Sequence, residues 1–94
     1  MTSLAAEGAC SFAWRNYLLR HNDVSENDIR RWAVHYYVTD LFNAGEYGFD
    51  LLQIGAVVYL EHLDKLDDEQ GARRAADEAV ARCLEARGHP LGHP

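Results

Sequence analysis

The run LLQIGAVVYL, residues 51–60, is the longest apolar stretch of the chain and contains one strongly polar residue, Gln53. Ile54, Val57, Val58 and Tyr59 favour sheets, which makes a strand the rival reading of this stretch. Two features favour a helix. Leu63 and Leu66 extend the pattern at helical spacing, and no second strand-like run exists to pair with it. A helix that is apolar nearly all round is a buried one. The spacing therefore predicts a central helix from Glu46 or Phe49 to Leu66. Gly55 inside it costs about 1 kcal/mol relative to Ala, which is tolerable where another backbone packs closely.

Three further helices are expected around this one. Towards the N-terminus, Ser25 reads as an N-cap with Asp28 three residues later, a variant of the capping box. Glu26 and Asp28 also suit the positive end of the helix dipole. The apolar side that follows is Ile29, Trp32, Ala33, Tyr36, Tyr37, Leu41 and Ala44, with Arg31, His35 and Thr39 opposite and Val34 and Val38 off the main stripe. Asn43-Ala44-Gly45 reads as its C-terminal stop. The first segment lies within Leu4 to His21 on the stripe Cys10, Trp14, Tyr17 and Leu18. Gly8 and Ser11 weaken its early part and predict a shorter or irregular helix, with a start near Ser11 as an alternative. The last segment begins at Asp67 or Asp68 and carries Ala72, Ala75, Ala76, Ala79, Val80 and Cys83 on one side. Small residues there permit close helix approach. Gly88 and Pro90 end it.

The fold class is thus all-α, a small bundle of three to four helices around residues 51–60. A chain of 94 residues is the size of one domain. Residues 1–88 form that domain and 89–94 a flexible tail. No repeat on the scale of helical solenoids is present.

Composition limits the classes of function. Net charge is −6, the wrong sign for a nucleic-acid backbone or an anionic membrane surface. The apolar run 51–60 is about half the length that a bilayer requires. Residues 1–8 carry an acid and no base, unlike a signal peptide. Cys10 and Cys83 lie far apart, with no framework of closely spaced cysteines. A cytoplasmic setting with free thiols is the expectation.

No constellation for catalysis stands out. Ser3, Ser11 and Ser25 fit cap or surface roles, and both cysteines fall on apolar helix sides, where a thiol behaves as a small hydrophobe. Glu61 and His62 point to different sides of one helix, so no metal-ligand spacing is found. The reading is of a non-enzyme without cofactor or metal, with an enzyme, above all as an accessory subunit, as a further option. Asp40 is the most informative polar residue, because it shares the apolar stripe of Trp32 and Tyr36. A carboxylate there must find a hydrogen-bond partner or lose its charge. It either bonds a Tyr or Arg of a neighbouring helix or anchors a ligand pocket, with His35 and His62 as further pocket candidates.

The aromatic set Trp14, Tyr17, Trp32, Tyr36, Tyr37, Tyr47 and Tyr59 is large for so small a bundle. Such residues dominate both cores and interfaces, and a small core gains by association. Some of the seven are therefore expected to face a protein partner, most simply in a homodimer. The expected role is a protein–protein interaction or regulatory module. The alternatives are a small-ligand or metal-binding bundle, and an acidic decoy of a nucleic-acid-binding partner using Asp64, Asp67, Asp68 and Glu69.

Overall fold

The computed structural model describes residues 4–25, 29–45, 47–66 and 68–86, without the side chains of 64–66. Four helices account for nearly all of them: α1 (Leu4–Arg20), α2 (Ile29–Gly45), α3 (Phe49–Leu66) and α4 (Glu69–Ala86). No strand occurs among the described residues. The run 51–60 is helical, and α3 packs against all three other helices. Leu51, Leu52, Ala56, Tyr59 and Leu60 are buried along it. The expected cap residues Glu26 and Asp28, the stop at Gly88 and Pro90, and the tail 89–94 lie outside the described residues.

Contacts along α3 fix the directions of its neighbours. The Phe49 ring lies against Gly8 of α1, and Arg20 pairs with Glu61 at 2.7 Å. Helices α1 and α3 therefore run parallel. Tyr37 stacks on Tyr59, and Leu41 reaches Gly55, so α2 runs antiparallel to α3. Helix α4 returns along α3 after a short turn, with Val80 against Gly55.

Two glycines set the closeness of this packing. A Cβ at Gly8 would stand 3.0 Å from the Phe49 ring, and one at Gly55 would stand 3.0 Å from Leu41 and 3.3 Å from Val80. At Gly55 the close approach is thus made by side chains of α2 and α4 rather than by another backbone. On α4 the buried stripe is Ala72, Ala76, Val80 and Leu84. Ala75, Ala79 and Cys83 are half-buried at its border.

The first two helices depart from expectation. Helix α1 is as long as α2 and runs unbroken through Gly8 and Ser11. Its small residues Ala6, Ala9 and Ala13 are buried together with Cys10, Trp14 and Tyr17. Alanines stabilise the early turns and allow close approach, which offsets the weakness at Gly8. Helix α2 is turned relative to the expected stripe. Val34, Tyr37, Val38 and Leu41 are buried, whereas Ile29, Trp32 and Tyr36 are 78%, 61% and 62% exposed. The sequence of α2 is apolar on two sides, so its own periodicity does not choose between them. Positions 34, 37, 38 and 41 form as good a helical stripe as the expected one. They include Tyr37 and Leu41, whose side chains reach Gly55 of α3.

Candidate interaction face

Four of the seven candidate aromatics serve the interior. Trp14 is 5%, Tyr17 0%, Tyr37 2% and Tyr59 0% exposed. These four candidates for an interface are core residues, enclosed within one chain, which leaves the expectation that some of the seven face a partner to the other three. Trp14 stacks on Tyr17, and Tyr17 on His21, along α1. Tyr47 is half-buried against the core, close over Gly45. Trp32 and Tyr36 remain as largely exposed rings.

A polar network on the opposite flank of α2 explains Asp40. The Tyr37 and Tyr59 rings stack 4.8 Å apart with their planes almost parallel, at 3°. The Tyr37 hydroxyl donates to Asp77 at 2.8 Å, and the Tyr59 hydroxyl donates to Glu69 at 3.0 Å. Arg73 donates to Glu69 and, at 3.0 Å, to Asp40. Its guanidinium also lies over the Tyr37 ring. Burial pushes the pKa of both tyrosines well above the ordinary range, reinforced by the hydrogen bonds to Asp77 and Glu69. Both hydroxyls hold their protons at any physiological pH. The network therefore clamps α4 to α2 and α3.

The three pocket candidates are not brought together. Asp40 is exposed and engaged by Arg73 of α4. His35 lies on another flank of α2, and His62 is half-buried on α3. No group of three His, Cys, Asp or Glu residues with metal-holding geometry exists among the described residues. Of the acids considered as a decoy surface, Glu69 is occupied by Tyr59 and Arg73, and Asp68 is exposed. Asp67 and the side chain of Asp64 lie outside the described residues. No helix among the described residues is long and apolar enough to cross a membrane.

The remaining feature is a groove between α1 and α2, with a volume of about 400 Å³. Cys10 and Val34 form its floor, both buried. Glu7 and Ser11 of α1 and Arg31, Trp32 and His35 of α2 complete its lining. The Cys10 thiol points to the Val34 carbonyl at 3.9 Å. Burial, with a smaller contribution from Glu7, pushes its pKa up to about 11. It is a protonated, inert thiol at neutral pH rather than a nucleophile. Beside the groove, Ile29, Trp32 and Tyr36 stand on successive turns of α2.

Reading the sequence alone placed His35 and Trp32 among the candidates. It did not select Glu7, Ser11, Arg31 or Ile29 as lining or neighbours of one face. The signal was the second apolar stripe of α2 through Val34 and Val38, which frees Ile29, Trp32 and Tyr36 for the outside. Comparison of the chain with protein-family models, curated proteins and solved structures finds no match.

Proposed function

We propose that this chain is a non-enzymatic helical interaction module that associates with a second copy of itself through the outer face of α2. One observation carries the reading. Ile29, Trp32 and Tyr36 form a row of large apolar side chains, 78%, 61% and 62% exposed, on a helix whose other side already fills the core. With large side chains of about 150–250 Å² each, the row leaves roughly 400 Å² of apolar surface uncovered. A patch of that size is at the scale of functional patches on monomers.

Two such rows covering one another would remove roughly 800 Å² from water, and rim residues supply the rest of the roughly 1,200 Å² that a specific interface needs. This area corresponds to a weak or moderate dimer. Trp and Tyr at its centre are the residue types that concentrate binding energy.

Sedimentation equilibrium on the full chain at micromolar concentration tests the proposal. The expected mass exceeds the 10.6 kDa of one chain. Trp32→Ala should weaken association by about thirtyfold, from the loss of about 2 kcal/mol at a central aromatic, with the helical circular dichroism unchanged. A single species of monomer mass at tens of micromolar would refute self-association.

A further inference from the structure

The groove between α1 and α2 gives this association a geometry. We propose that it receives Trp32 of the second copy, while Glu7 of each protomer pairs with the partner's Arg31. The inference rests on the self-association proposed above and specifies which groups meet.

Three observations converge on it. First, Glu7 and Arg31 carry opposite charges on different helices and line the same groove. Both are exposed, and neither has an ion-pair partner among the described residues. Second, Trp32 is a wall of its own groove and so cannot fill it, yet it remains 61% exposed. Third, the groove volume of about 400 Å³ falls within the roughly 300–1,000 Å³ of small-molecule clefts and leaves room for one large side chain. Its floor of Cys10 and Val34 offers apolar contact, and Glu7 and Ser11 offer acceptors for an indole N–H.

Two-fold symmetry connects the three. In an isologous dimer each contact occurs twice. One groove then receives the partner's Trp32 as the other receives this protomer's, and the Glu7–Arg31 pair also forms twice. Charge complementarity matters here because two copies of a chain with net charge −6 repel one another at long range. The face of α2 that carries Arg31 offsets that repulsion locally. The chosen occupant is thus a second copy of this chain, whose own surface supplies a matching ring and a matching pair of charges.

Charge reversal distinguishes this geometry from self-association in general. Glu7→Arg and Arg31→Glu are both made on exposed side chains, which usually change stability little. Thermal unfolding of each variant verifies that it folds. At low salt, each single reversal should raise the dimer dissociation constant about tenfold or more, because like charges then face each other twice. The double variant Glu7→Arg/Arg31→Glu should recover to within about threefold of the original chain. Acrylamide quenching of Trp32 emission should fall with concentration in the original chain and in the double variant, and stay high in the singles. If the original chain dimerises but the singles dimerise equally well, or the double variant stays as weak as they are, this geometry is overturned while self-association stands. A monomeric original chain overturns both.

Discussion

Gly55 sits where α2, α3 and α4 meet, and replacing it with Ala sets two effects of known size against each other. Removing glycine from a helix interior stabilises it by about 1 kcal/mol. The new methyl would lie 3.0 Å from Cδ2 of Leu41, 3.3 Å from Cγ2 of Val80 and 3.4 Å from Cε2 of Tyr37. Carbon atoms reach their best contact at about 3.5–4.0 Å. Leu41 of α2 and Val80 of α4 must therefore retreat by a few tenths of an ångström, while Tyr37 comes into ordinary contact. Tyr37 is held in place by its stack on Tyr59 and its bond to Asp77, so little of this can be absorbed there. Overpacking of this kind costs about 1–3 kcal/mol. The steric cost outweighs the propensity gain, for a net loss of about 1 kcal/mol and a fall of about 5 °C in Tm for a domain of this size. Differential scanning calorimetry of Gly55→Ala checks this, supported by urea unfolding for the free energy. The same substitution should be milder in a Leu41→Val background, where the atom that makes the closest contact is absent. A rise of several degrees in Tm for Gly55→Ala alone would mean that propensity decides and that the packing argument is wrong.

Two further outcomes follow from the network and the groove floor. Stability should decline on the alkaline side. The folded chain holds the protons of Cys10, Tyr37 and Tyr59 more tightly than the unfolded chain does, so stability is intact below the unfolded values and falls as pH rises through the folded ones. For Cys10 the decline spans pH 9.0 to about 11, and for the tyrosines it begins near their ordinary value of 10.0. Urea unfolding at pH 8 and pH 10.5 should show this loss, and Cys10→Ala should remove the part that starts lowest; a pH-independent midpoint would contradict it. Tyr37→Phe keeps the ring stack and loses the bond to an exposed Asp77 that water can satisfy, so it should cost about 1 kcal/mol. Tyr37→Ala should cost about 3–5 kcal/mol. Equal losses in chemical denaturation would show that the hydroxyl, not the ring, seats α2.

How much of this was legible in the sequence depends on how one-sided each helix is. Helix α4 has a polar face and a row of alanines, so Ala72, Ala76 and Val80 were identifiable as its buried side, though Leu84 was not. Helix α3 is apolar nearly all round, and that feature placed it at the centre. Helix α2 presents Trp32 and Tyr36 on one side and Val34 and Val38 on another, with Tyr37 and Leu41 belonging to the stripe that is buried. Large rings drew the expected stripe towards Trp32, but the gap at Gly55 admits the other side. The turn of α2 also moved Asp40 to the edge of α4, where Arg73 meets it. The i, i+4 spacing of Glu69 and Arg73 was visible in the sequence, whereas the contact of Arg73 with Asp40 depends on tertiary packing. For the same reason the groove could not be read in advance, because Glu7 and Arg31 become neighbours only once α1 and α2 are docked.

The parallel course of α1 and α3 makes α2 a ruler. Residue 8 meets 49 and residue 20 pairs with 61; 49 − 8 and 61 − 20 both give 41, so a single spacing aligns the two helices along their length. Helix α2 supplies 17 residues of that spacing in rigid form. Deleting one of them would shorten the return by about 1.5 Å and rotate all that follows by about 100°, carrying Tyr37 or Leu41 away from Gly55. A residue added in the turn at 21–25 costs only a small increment of loop-closure entropy. Changes of chain length in this lineage should therefore accumulate between the helices, and the distance from one end of α2 to the other should be the part that evolution leaves alone.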